Sequence, residues 1–493
     1  MHETLAASST DPVSQLIVAA LLVALFAVLA LEAAHRVLVV LGAVALLWAI
    51  TYLTPFHLLP VEAAIAHLDL NVLLLLAAMM ALVGVLKETG VFDWAVERLL
   101  ERFGHNPARA MAVLWWFTGI ASAFLDNVTT VIFVTPVALA AARRVRAPLP
   151  LVVLPLIMAA NIGGTATLIG DPPNIMIGSG AGLTFMDFIE ELTLPVILMM
   201  ALLHVWAVGR LRRAMGAAAD APAQADAPGQ GPQIADPGLL RWLGVICAFV
   251  LLGFVTHGAT GMPTAVPALI GAAVALIVQD LRYLRTHQPT HEERTHGILH
   301  VLEREVEWPT LTFFALLFIL VGAAVETGLT ATLAGLLERG IVAGRETFGL
   351  GDAGTLLFSA LLVAWVAAAL SAVMDNIPFV AVSIPIIGAL VGQLPGESAV
   401  LWWALALGAC LGGNATPIGA SANVTTLGLA EREGLRVTFR AFMRTGVPVA
   451  VGSLLVGSVY LTAFVFLGSH RAPVVMGALA VAGLLLVWRT ERA

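Results

Sequence analysis

Two stretches of this chain are copies of one another. Residues 122–129 read SAFLDNVT and residues 371–378 read SAVMDNIP. Thirty-seven residues after each Asp begins a glycine-rich run, GGTATLIGDPPN from Gly163 and GGNATPIGASAN from Gly412, so one offset of 249 aligns both blocks without a gap. The surrounding sequence is 59% hydrophobic and only 12% charged, with a mean hydropathy of +0.94. Soluble domains are roughly 45–50% apolar and 25% charged. The duplicated polar blocks therefore sit inside a polytopic membrane protein, where carboxylates and irregular backbone are tolerated only around a cavity or an ion path.

Apolar runs near the ~20 residues that cross a hydrocarbon core fall at 13–31, 37–54, 70–86, 192–209, 239–256, 263–279, 309–325, 445–467 and 472–488. The run at 13–31 has no basic residue before it, only Glu3 and Asp11, and reads as a retained helix rather than a cleaved leader. Cys247 and Cys410 both lie in apolar segments and suggest neither a disulfide framework nor a metal cluster.

The arginines set an expected topology. With the N-terminus outside, 22 of the 25 basic residues fall on the cytoplasmic side, among them Arg36, Lys87 and the Arg143–Arg146 cluster; only Arg339, Arg345 and Arg471 fall outside. The C-terminus is then cytoplasmic. Each half holds about five crossings, so the second copy is inverted relative to the first, as in secondary transporters whose site lies where the repeats meet.

The expected fold is therefore an all-α polytopic membrane protein of two inverted-topology repeats, each with a re-entrant hairpin and a broken transmembrane helix. Residues 1–214 form the first repeat, 215–238 a cytoplasmic Ala/Pro/Gly/Asp linker, 239–467 the second repeat and 468–493 an extra C-terminal span. His287, His291, His296 and His300 have helical spacing, but the acidic and basic residues among them mark an ordinary solvated loop rather than a metal site. An amphipathic stretch precedes each hairpin, Val91–Gly104 and Gly328–Gly340, each after a V-G-x-x-x-E-T-G turn. Glu88 and Glu326 in those turns read as cap or interface residues, and Lys87 as reaching the cytoplasmic surface.

Asp126 and Asp375 sit at the hairpin tips. There the carboxylate, the amide oxygen of Asn127 or Asn376 and free backbone carbonyls can replace the hydration shell of Na+, and Thr129 and Thr130 add hydroxyls. Gly163, Gly164, Gly412 and Gly413, with the prolines beyond them, break a helix in mid-membrane. Thr165, Thr167, Asn174, Asn414, Thr416 and Asn423 are placed to offer neutral donors and acceptors to a solute. A single break reads as a kink and a single Asp as an interhelical hydrogen bond; duplicated at a fixed offset, they read as a binding site. Asp171 has no acidic counterpart, since Ala420 stands at that position in the second copy. No buried Arg or Lys is evident to balance three carboxylates. A bare polyanion would be repelled, and three carboxylates in a desolvated pocket cannot all stay ionised cheaply, so proton exchange is expected.

The segments SAFLDNVTTVIFVTPV (Ser122–Val137) and NIGGTATLIGDPPNIMIG (Asn161–Gly178) resemble the signature segments of the ion transporter superfamily, in the branch of arsenite permeases, NhaD-type sodium/proton antiporters and the melanosomal P protein. That branch is related to the citrate and dicarboxylate/sodium symporters. The resemblance covers nearly the whole chain. It implies two inverted repeats, a dimerising scaffold and elevator-type movement. The dicarboxylate symporters bind sodium with Ser-Asn-Thr at each tip; here the matching residues are Asp126-Asn127-Val128 and Asp375-Asn376-Ile377, which keep the Asn and lose the hydroxyls.

The combined expectation is a transporter of the cytoplasmic membrane rather than an enzyme, with H+ or Na+ as coupling ions and no other cofactor. It would handle a small inorganic ion or polar solute, form a homodimer and bind no nucleic acid. Proton-coupled sodium antiport ranks first, then efflux of arsenite or another neutral oxyacid, then citrate-type symport. An intramembrane aspartyl protease also needs two membrane Asp residues, but Leu168-Ile169-Gly170-Asp171 lacks the first Gly of its GxGD pattern.

Overall fold

The computed structural model describes residues 11–31, 34–103, 106–219, 234–286, 301–394 and 396–492. The histidine loop and most of the 215–238 linker lie outside the described residues. Among the described residues the ordered elements are helices, and ten of them are long and apolar enough to cross a membrane.

The first half runs α1 (Pro12–Ala30), α2 (Arg36–Leu53), the short α3 (Val61–Ala66), α4 (Leu70–Glu88), α5 (Val91–Phe103), α6 (Pro107–Phe124), α7 (Asn127–Arg144), α8 (Leu149–Gly164), α9 (Pro172–Ala181) and α10 (Phe185–Met215). The second runs α11 (Pro237–Thr260), α12 (Ala265–Thr286), α13 (Trp308–Glu326), α14 (Leu329–Phe348), α15 (Asp352–Ser371), α16 (Asn376–Val391), α17 (Val400–Gly412), α18 (Ser421–Arg432) and α19 (Phe439–Leu467), and α20 (Ala472–Arg492) follows. The series α4–α10 and α13–α19 match element for element. Both α4 and α13 end on the Glu of the E-T-G turn, because Gly90 and Gly328 then take φ of 72° and 75°, the left-handed region that stops a helix.

Polar caps start the helices where the sequence would otherwise leave amide protons unpartnered. Asp69 caps α4, Asn106 caps α6, and Thr184 with Asp187 closes a reciprocal capping box on α10. Pro136 in α7 and Pro385 in α16 occupy equivalent positions, separated by the same offset of 249.

One expectation needs correction. The amphipathic stretch of the second half does not close at Gly340. Open space surrounds Gly340 and its φ is an ordinary negative one, so the helix continues to Phe348 and stops at Gly349, with φ of 61°. In the first half the stretch is short, as expected, with Trp94 exposed and Val96 buried against neighbouring helices. Lys87 pairs with Glu305 at 2.8 Å, and Glu326 with His67 at 3.0 Å.

Packing across the halves is reciprocal. α7 lies against α18 while α16 lies against α9; α4 lies against α12 while α2 lies against α13. Within each half the hairpin's first limb packs on the broken helix, α6 on α8 and α15 on α17. The two broken helices are almost wholly buried, and both hairpin tips come to their interrupted ends.

Candidate ion site

The hairpin tips are helix starts. Asp126, extended at φ −60° and ψ 152°, caps α7; one carboxylate oxygen accepts the Thr129 N–H at 2.8 Å and the other accepts the Thr129 hydroxyl. Asp375 caps α16 through the Ile377 N–H at 3.3 Å. At the position equivalent to Thr129 stands Pro378, which has neither hydroxyl nor N–H to give. The second oxygen of Asp375 instead accepts the hydroxyl of Ser421, the first residue of α18, at 2.7 Å. Sequence-equivalent carboxylates thus have different partners: Asp126 is held within its own turn, whereas Asp375 reaches another element.

The broken helices fold back tightly. A Cβ on Gly163 would collide with the Gly119 backbone, and one on Gly412 with the Ala368 backbone, again positions related by 249. A Cβ on Gly164 would stand 2.6 Å from the Gly170 carbonyl, and one on Gly413 2.7 Å from that of Gly419. The glycines are required by close approach of hairpin, helix and loop. Thr167 donates to the Ala123 carbonyl, and Thr416 to that of Ala372 at 2.5 Å, tying each loop to its hairpin. Thr165 donates to the Asn161 carbonyl at 2.8 Å.

Asn174 and Asn423 spend their NH2 groups on the loops. Asn174 donates to the carbonyls of Thr165 at 3.2 Å and Thr167 at 2.9 Å; Asn423 donates to those of Gly413 at 2.7 Å and Thr416 at 2.9 Å. These bonds replace the helical ladder that the break interrupts, which buried backbone requires. The donor groups of Thr165, Thr167, Thr416, Asn174 and Asn423 therefore brace the backbone.

The amide oxygens of the same two Asn side chains cross between the halves. Asn161 of α8, fully buried, donates to Asn423 Oδ1 at 2.9 Å and Asn414 Oδ1 at 3.0 Å, and accepts from Asn127 Nδ2 at 3.3 Å. Cys410, its counterpart at the offset of 249, donates to Asn174 Oδ1 at 3.5 Å. The halves are joined by a polar junction at the two helix breaks.

Asp171 stands at this junction. It is 1% exposed, and its Oδ2 accepts from Asn376 Nδ2 at 3.4 Å. Its Oδ1 has no hydrogen-bond partner, nor do Asn414 Nδ2 and Thr130 Oγ1. The nearby Cys410 thiol is only a weak donor. Asp126 and Asp375 both lie within electrostatic reach of Asp171. A buried carboxylate oxygen without a protein partner is a place where a proton, a cation or a bound water is held. No three His, Cys, Asp or Glu side chains converge as a metal cluster among the described residues, so a cation held here would draw on amide, hydroxyl and backbone oxygens beside the carboxylates.

A balancing basic residue, not evident in the sequence, is present. The Arg36 guanidinium lies 3.9 Å from Asp375 Oδ2 and donates to Ser421 Oγ at 3.0 Å and Thr310 Oγ1 at 2.8 Å. In the sequence Arg36 stands only as one of the basic residues of the cytoplasmic side. Local apolar runs carry no trace of this role, because the contact joins residues 339 apart. Asn161 and Cys410 were equally invisible as site residues, although the offset of 249 pairs them and Asn161 is a polar residue inside an apolar run.

The comparisons agree with this architecture. The profile of the citrate transporter family matches residues 23–408. An uncharacterized transporter of Mycobacterium tuberculosis is 40% identical over 397 residues, covering 80% of this chain and 86% of its own. The human P protein is 29% identical over 527 residues, 90% of this chain and 59% of that protein. The crystal structure of the Alcanivorax borkumensis YdaH transporter matches 92% of this chain and 98% of its own with a TM-score of 0.57 at 18% identity, a likeness of fold.

Proposed function

The chain belongs to the citrate transporter family, a family of membrane permeases and not of enzymes, and from that premise we propose a proton-coupled secondary transporter that exchanges a cation, Na+ foremost, at Asp171. The observation that carries the reading is the free Oδ1 of Asp171, fully buried where both helix breaks and both hairpins meet. A carboxylate there binds a proton or a cation but not both at once, which is the elementary condition for exchange. Asn376 orients it from the second hairpin, and Asp375 and Asp126 raise the local negative potential that draws a cation in. The reciprocal packing supports two inverted repeats. The family resemblance and the distribution of basic residues support, in addition, elevator movement in a cytoplasmic-membrane homodimer with the N-terminus outside and the C-terminus in the cytoplasm.

A second reading is symport of a citrate-type carboxylate. The family's description and the guanidinium of Arg36 favour it. The acidity of the site then requires that the anion travel with cations. Collapse of a pH gradient in inverted vesicles on adding Na+, Li+, arsenite or citrate in turn separates these readings. A response to Na+ or Li+ supports exchange at Asp171; uptake of citrate with no response to either cation overturns it.

A further inference from the structure

Arg36 joins four elements that belong to different parts of the fold. It is the first residue of α2, its NH2 group donates to Thr310 near the start of α13, and its NH1 group donates to Ser421 at the start of α18. The same NH1 stands 3.9 Å from Asp375, the cap of α16. The guanidinium carbon lies 5.6 Å from the centre of the Phe313 ring, within cation–π range. Thr310 passes the contact on, donating to Glu307 at 2.8 Å, while Ser421 donates to Asp375 at 2.7 Å. One cation thus serves two carboxylates, each through a hydroxyl.

The arrangement is loose where it meets Asp375. A bidentate Arg–carboxylate fork would place two N–H groups on the two oxygens; here the pair is longer, mediated by Ser421, and partly exposed at 33% for Arg36 and 22% for Asp375. Pairs of that kind contribute little stability, so a small cation can take the place of the guanidinium without a large cost. The contacts to Thr310 and Phe313 keep the displaced group nearby.

The first tip has no such device among the described residues. Pro172 stands where Ser421 stands in the second half, and Asp126 keeps its oxygens on Thr129. At the corresponding corner, where α4 meets the start of α12, the contact is neutral: Asn71 with Thr264 and the Ala265 N–H. The asymmetry is therefore chemical, a cation at one corner and an amide at the other.

We infer that Arg36 is the resident counter-cation of the second hairpin tip, a tethered competitor that a transported monovalent cation displaces from Asp375. The inference rests on the cation-exchange reading of the site. Displacement would also release the bridge from α2 and α13 to α16 and α18, coupling ion arrival to the freedom of the hairpin.

The test uses the purified full chain in lipid nanodiscs, its thermal unfolding followed in NaCl against choline chloride at equal ionic strength. Arg36→Gln should lower the half-saturating Na+ concentration roughly two- to fivefold, the scale of removing one partly exposed competing charge. Arg36→Lys should stay near wild type, and Thr310→Val, which removes one anchor, should shift in the same direction by less. Adding Asp375→Asn to Arg36→Gln should abolish the gain. The inference is overturned if Arg36→Gln, or Thr310→Val should the former not fold, binds Na+ no more tightly than wild type, or if no form responds to Na+. The expected shift without any Na+-driven flux in vesicles would uphold the Arg36 assignment and sink the transport reading.

Discussion

Replacing Asn161 with Ala removes a side chain that holds three other buried amides at the junction of the two halves. Its NH2 group serves Asn414 and Asn423, and its oxygen accepts from Asn127. Polar contacts inside a helical membrane protein average about 0.6 kcal/mol, which gives about 2 kcal/mol for three bonds. Groups left buried and unpaired cost roughly 1–3 kcal/mol each, which raises the figure where neighbours cannot relax. Gly413 and Thr416 already hold Asn423 through its own NH2 group, so it cannot turn away freely. The expected loss is about 2–5 kcal/mol. Cys410→Ala, at the equivalent position, removes one weak thiol bond of 3.5 Å and should cost under about 1 kcal/mol beyond its lost volume. Urea or SDS unfolding of both variants in bicelles measures the difference. An Asn161→Ala protein no less stable than Cys410→Ala would refute the polar junction as a structural link.

Gly163→Ala and Gly412→Ala should each abolish folded protein or transport, because the added methyl meets backbone rather than a movable side chain, whereas Gly428→Ala, with open space around it, should be neutral; yield of monodisperse protein and vesicle flux decide. Arg143→Gln should change thermal stability by under about 1 kcal/mol, since its pair with Glu433 is about half exposed on both sides; a larger drop in unfolding temperature would make that pair structural. Arg282 beside Asp236 holds its carboxyl below the usual carboxylate range. With the folded pKa depressed, this contribution is full above the unfolded value near 3.9 and fades as pH falls through the folded one. Asp236→Asn should therefore lower the melting temperature at neutral pH and converge with wild type in strong acid; parallel curves would contradict the pairing.

The sequence carried the class of fold because apolar runs of membrane length and a duplicated block leave few alternatives. It also located the breaks, since Gly163, Gly164, Gly412 and Gly413 can stand where other residues collide. It does not say which atom of a side chain is spent on which partner. Thr167, Thr416, Asn174 and Asn423 look like ligands in a list of polar residues, yet the two Thr hydroxyls donate to hairpin carbonyls and the two Asn NH2 groups to loop carbonyls. Asp126 looks equivalent to Asp375, but a hydroxyl at Thr129 and a proline at Pro378 send their oxygens to different partners. Arg36 escaped notice because its role arises only when α2 is packed on α13 beside the second tip.

Cation-driven proton movement in inverted vesicles, compared between wild type and Asp171→Asn at matched expression and insertion, probes the exchange carboxylate itself. Addition of Na+ should collapse the pH gradient in wild type and leave it standing in the variant, which keeps the side-chain shape and loses the charge. Exchange at the wild-type rate with Asn at position 171 would contradict the account.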